Sequence, residues 1–156
     1  MDFRLLGPVE VLGDDGEPVA LGGKRPRALL SLLLLHPNEA VSTDRLIDAV
    51  WGESPPPSAR SALQVHVHAL RKALGADRIV TRAPGYLVRV GTGELDADRF
   101  AELVADESYV AALALWRGPA LADLAGEDFA RADAARLDEA RLSAQEIGRA
   151  SCRERV

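Results

Sequence analysis

The stretch SARSALQVHVHALRKALGADRIVTRAPGYLVRV, Ser58 to Val90, changes its hydrophobic period halfway along. Leu63, Val67, Leu70 and Leu74 are spaced four, three and four apart, which puts them on one stripe of a helix. After Asp77 the period becomes two. Ile79 to Arg82 and Tyr86 to Val90 flank Ala83-Pro84-Gly85, which reads as a hairpin turn. A helix held by one apolar stripe, followed at once by a ribbon, leaves few folds open. The charge is also uneven. Residues 58–90 hold six Lys/Arg and one acid, Asp77, within a chain of 156 residues whose net charge is −5. A local basic patch of this kind is the electrostatic footprint that a polyanion needs.

Upstream, FRLLGPVEVLG and GDDGEPVALGG read as short strands with turn residues between them, the third being Pro18 to Leu21. Pro26 suits the first turn of a helix, where its missing N–H is no loss. Ala28 to Leu35 is apolar enough to demand burial on all sides, and His36-Pro37 ends that helix. Ser42-Thr43-Asp44 opens a second helix that Gly52 closes. Glu53-Ser54-Pro55-Pro56-Pro57 is a stiff connector, and Ser58 is the expected N-cap of the third helix. The expected fold is α+β: a winged helix-turn-helix over residues 1–91, made of a small N-terminal antiparallel sheet, three helices and a C-terminal wing hairpin. A short all-α module comes next, over residues 92–145. That module turns Ala/Leu-rich and acidic, with five Arg against twelve Asp/Glu in residues 91–145. Helices are expected over Asp96–Val104, Val110–Trp116 and Glu127–Ser143, leaning on the first domain because three short helices alone have a thin core.

The last eleven residues, Glu146 to Val156, can be back-translated into a sequence resembling a common sequencing adapter read in frame. The natural chain is expected to be interrupted near Gln145, with residues 146–156 a non-native tail that carries the single cysteine, Cys152. No stretch is long and apolar enough to span a bilayer, and the N-terminus lacks a signal-peptide pattern, so a cytoplasmic protein without membrane contact is expected.

Three motifs invite chemistry and fail. GGKRP looks like a phosphate loop, but that pattern needs Gly at Pro18 and Ser or Thr at Arg25. Lys24, Arg25 and Arg27 are therefore read as solvated or as auxiliary backbone contacts. His66 and His68 diverge by roughly 200° on a helix of 3.6 residues per turn, with no third ligand at metal spacing. His66 is expected to be partly buried and His68 exposed. No catalytic constellation stands out, so neither an enzyme, a cofactor nor a metal is expected.

The segments RLIDAVWGE, SALQVHVHALRKALG and RIVTRAPGYLV resemble the OmpR/PhoB-type winged helix. With LDADRFAEL and ALALWRGPALADL, which are similar to the start of a bacterial transcriptional activator domain, the chain resembles the SARP antibiotic regulatory proteins over residues 1–145. The resemblance implies binding to double-stranded promoter repeats, recruitment of RNA polymerase, and activation of secondary-metabolite gene clusters; the oligomeric state is left open, a homodimer on DNA being one option. It implies that Ser61, Gln64, Val65 and His68 face bases. Gln can bond an adenine edge, Val can touch a thymine methyl and His can donate to guanine. Arg60, Arg71 and Lys72 suit phosphates, and one of them can serve instead in a salt bridge. Trp51 matches a position that touches the backbone through its indole N–H, against a packing role in the core. Thr81 and Arg82 sit on the wing, with Arg82 the main candidate for groove or phosphate contact. Two departures stand out. The segment between Phe100 and Trp116 is shorter than in the family, as if the first helical hairpin were deleted or mis-sequenced, and the activator domain stops at about Gln145. A competing reading makes the winged helix a scaffold in a protein–protein interaction module; the shared basic face of third helix and wing favours DNA.

Overall fold

A computed structural model describes the backbone of residues 1–154 and the side-chain surroundings of residues 1–150. The chain starts with a hairpin of β1 (Asp2–Arg4) and β2 (Glu10–Leu12), antiparallel with Phe3 opposite Val11. The expected third strand is reduced to one bridge between Leu12 and Pro18, plus Val19 N–H donating to the Val11 carbonyl at 2.8 Å. Pro18 has no N–H to extend the ladder, which explains why it stops there.

Helix α1 (Lys24–Leu35) has seven consecutive buried residues, Ala28 to Leu34. Among them Ser31 satisfies its hydroxyl on the Arg27 carbonyl at 2.6 Å, one turn back. Around α1 pack α2 (Thr43–Trp51) and α3 (Ala59–Leu74). Ser42 caps α2, its Oγ accepting from the Arg45 N–H at 3.2 Å, and Gly52 closes it at φ 65°. Ser58 sits at the start of α3 but makes no side-chain cap; its carbonyl accepts from Ala62 instead. The buried positions of α3 are Ala59, Leu63, Val67, Leu70 and Leu74, the stripe seen in the sequence with one turn added in front.

The wing is β4 (Ile79–Arg82) and β5 (Gly85–Val88), and a two-residue strand β3 (Val41–Ser42) completes a three-stranded sheet of order β3-β5-β4. β3 is absent from the sequence reading, because two residues carry no readable period. It explains Gly85. A Cβ there would overlap the Val41 carbonyl oxygen and lie 2.8 Å from the Thr43 nitrogen. Only glycine lets β3 approach this closely.

The all-α module consists of α4 (Asp96–Ala105), α5 (Tyr109–Ala114), a 3-10 turn at Ala122–Leu124, and α6 (Asp128–Glu154). The segment between Phe100 and Trp116, where a deleted or mis-sequenced first helical hairpin is expected, instead belongs to an α4–α5 hairpin turned by Asp106-Glu107-Ser108 with Glu107 at φ 60°. Residues 146–154, expected as a non-native tail, continue α6. Within them Ile147 lines an apolar groove beside Phe100 and Leu137, and Gly148 lies against Tyr109. The Cys152 side chain falls outside the described residues.

The module leans on the first domain, as expected, and chiefly on its N-terminal segment. Phe3 N–H donates to the Glu94 carbonyl at 2.7 Å, Arg117 N–H to Leu6, and Leu121 N–H to Leu5. The Asp96 carboxylate, 1% exposed, accepts from the backbone N–H groups of Leu5 and Leu6 at 2.8 and 3.0 Å. Burial pushes its pKa up, against the pull of those two bonds. Asp123 accepts from Val9 N–H and from Arg27. Phe3, Leu5, Leu6, Phe100 and Trp116 belong to one continuous core with α1 and α3. Among the described residues, no helix is long and apolar enough to cross a membrane.

Candidate nucleic-acid interface

The side of α3 away from its buried stripe presents Ser61, Gln64, Val65 and His68, all exposed. Val65 is 66% exposed, among the most exposed large apolar side chains described. An aliphatic group left in water on a helix face costs solvation and contributes nothing to the core. Around it on that face stand Ser61, His68 and Lys72 with the small Ala69, so the face offers donors and acceptors beside an apolar contact.

The expected backbone contacts separate into groups. Arg82 is exposed at the end of β4, opposite Gly85, and Lys72 is exposed in the last turn of α3. Arg60 is exposed and weakly paired with Asp44 across 3.4 Å of solvent-accessible space, an arrangement that water and salt readily open. Arg71 is different: it is half-buried, and its guanidinium is occupied within the protein. Its Nε donates to the Ile79 carbonyl at 2.9 Å, one Nη donates to Thr81 Oγ1 at 3.0 Å, and the group lies over the Tyr86 ring at 5.9 Å. Thr81 is exposed and accepts that bond.

Trp51 is half-buried at the end of α2. Its ring lies 5.9 Å from that of His66 and the Arg25 guanidinium sits over it, also at 5.9 Å. His66 is half-buried and His68 exposed, as expected. Burial lowers the His66 pKa, and the nearby Arg25 charge lowers it further. Among the described residues no group of three His, Cys, Asp or Glu is placed to hold a metal ion.

Three supports of this surface have no counterpart in the sequence pattern. Arg25 reaches Trp51 from a different helix. Thr43 donates its N–H and its hydroxyl to the Pro84 carbonyl at the wing turn, at 3.2 and 3.3 Å. Arg78, at the foot of the wing, pairs with Glu94 through two bonds of 2.6 and 2.7 Å. The Arg78 guanidinium holds the Glu94 carboxyl down at about 2. Each contact joins residues far apart in sequence, where periodicity carries no information.

Comparison with known proteins finds two family domains along the chain. The domain described as "Transcriptional regulatory protein, C terminal" matches residues 16–88, and the "Bacterial transcriptional activator domain" matches residues 82–151. The transcriptional regulatory protein EmbR of Mycobacterium tuberculosis is 38% identical over 144 residues, covering 80% of this chain and 37% of EmbR. The regulatory protein AfsR of Streptomyces coelicolor is 37% identical over 139 residues, covering 80% of this chain and 14% of AfsR. The transcriptional regulator RedD of the same species is 32% identical over 149 residues, covering 81% and 42%. A solved structure of M. tuberculosis EmbR, in complex with a low-affinity phosphopeptide, superposes with a TM-score of 0.85 at 34% identity, covering 94% of this chain and 44% of that one. The chain thus spans less than half the length of these relatives. The chain thus carries an OmpR/PhoB-type winged helix joined to a bacterial transcriptional activator domain, and it is homologous to the SARP-family regulators AfsR and RedD.

Proposed function

We propose that this chain is a sequence-specific reader of double-stranded promoter DNA that activates a secondary-metabolite gene cluster. Residues 1–91 are the reading domain and residues 92–145 the activator module that engages RNA polymerase, with a second copy docking on an adjacent repeat. In this reading α3 enters the major groove, where Ser61, Gln64, Val65 and His68 meet base edges. Arg60, Lys72 and Trp51 meet phosphates beside it, and Thr81 and Arg82 carry the wing to the next backbone or minor groove. The observation that carries it is the exposed face of α3, an apolar side chain 66% exposed beside Ser61 and His68, together with the exposed Arg82 on the wing that Arg71 ties to α3. A thymine methyl is the contact that such a valine fits.

The test is selection of duplexes from a random pool with the full chain, at two salt concentrations. The expected result is a recovered repeat bound with salt-sensitive affinity, the slope counting neutralised phosphates at about 0.9 each. No enriched motif, and no binding to bulk DNA at low salt, would overturn the reading and leave the winged helix as a docking scaffold.

A further inference from the structure

Arg71 is expected on phosphates from its place in the sequence, yet its guanidinium already has partners. It reaches three residues of the wing: the carbonyl of Ile79, the hydroxyl of Thr81 and the ring of Tyr86. Thr81 and Tyr86 face each other across β4 and β5, so one side chain of α3 grips both strands of the hairpin. The adjacent Nε and Nη donors of the fork serve two acceptors at once, which a lysine ammonium on a flexible stem does not reproduce. We propose that Arg71 is a positioning residue for DNA reading: it fixes the wing against the recognition helix, so that Arg82 arrives in register when α3 is seated.

This rests on the DNA reading above. If α3 and the wing contact one duplex, the separation between them sets which phosphates Arg82 can reach. A wing free to swing would lose orientation on binding, and the loss would appear in affinity although Arg71 touches no DNA. A phosphate-contacting Arg71 behaves differently: Lys would largely replace it, and its effect would add to that of Arg82.

The experiment is a double-mutant cycle on the full chain, with the duplex recovered by selection, at a temperature where circular dichroism shows every variant folded. Arg71→Lys is expected to weaken binding about ten-fold, as loss of a charge-assisted bond does. Thr81→Val, which removes one acceptor, is expected to move affinity the same way by a smaller factor. In the Arg82→Ala background the Arg71→Lys loss should shrink to about two-fold or less, since contacting or coupled residues are not additive. Faster amide exchange in β4 and β5 of Arg71→Lys, with α3 unchanged, should accompany it. Additive losses, or an Arg71→Lys chain that binds like wild type, would overturn the proposal while leaving the DNA reading intact. A lowered melting temperature with unchanged affinity would overturn it too, reducing Arg71 to a fold-stabilising residue. A wild-type chain that binds no duplex would remove both.

Discussion

At the scale of single residues, exposure and occupancy separate the cations. The Arg82 side chain is exposed and has no ion-pair or hydrogen-bond partner among the described residues, whereas Arg71 is spent on the wing. Replacing Arg82 with Ala is expected to weaken binding to every duplex and to lower the salt slope by about one. Titrations at several salt concentrations check this, and an unchanged slope would take Arg82 out of the interface. Gly85 is as exacting in another way. With the Val41 carbonyl where its Cβ would go, Gly85→Ala is expected to cost at least about 2 kcal/mol of stability, read by urea denaturation. At this scale the sequence is informative about which α3 residues are exposed, because the stripe Leu63, Val67, Leu70, Leu74 sets the phase of the whole helix. It is silent on the Arg71 strut, because a hydrogen bond from a helix to a later hairpin leaves no pattern in either. Arg71 and Lys72 are neighbours in the chain and look interchangeable there; only the fold distinguishes them.

Among the elements, boundaries emerge from local chemistry wherever that chemistry is strong. Ser42 and Gly52 bound α2 as expected, and α3 ends at Leu74 before Gly75. Ser58 is not the side-chain cap that its residue type suggests: its backbone at φ −98°, ψ 31° does not hold the extended conformation that points a cap hydroxyl at the first turn. The third N-terminal strand is cut to one bridge because Pro18 has no N–H to donate, whereas β3 is added because Val41 and Ser42 pair with the distant β5. The foot of the wing is tied to the connector by Arg78 and Glu94, and this tie has a pH signature. The Glu94 carboxyl titrates near 2 in the folded chain, below its ordinary 4.5. A depressed carboxylate contributes stability that is complete above about 4.5 and is lost as pH falls toward 2. Glu94→Gln is therefore expected to be less stable than wild type by roughly 2 kcal/mol at neutral pH. The difference should vanish over that acid window, as parallel denaturation series from pH 7 to pH 2 would record. A gap that stays constant across the window would mean that the Arg78 ion pair is not its source.

For the whole molecule, the division into a winged helix and a helical module is legible from composition and period. The extent to which the modules interlock is not. Leu5, Leu6 and Val9 lie in the first domain by sequence, yet their backbone N–H groups are satisfied by Asp96 and Asp123 of the second. An isolated fragment of residues 1–91 would leave these donors without their acceptors and strip cover from Phe3 and Leu5. We expect it to melt at least about 10 °C below the full chain, given shifts of about 4–8 °C per kcal/mol in a domain of this size. Calorimetry on the full chain should give one transition, whereas two well-separated transitions would mean that the halves fold independently. Asp96 has a consequence for anyone recombining these regulators. A chimera joined at the glycines near residue 91 would respect the visible linker and still sever the molecule, because the first nine residues are bonded into both halves. A transplanted winged helix would have to bring along an α4 that begins with a carboxylate matched to its own N-terminal strand, so the winged helix and the helical module are inherited together.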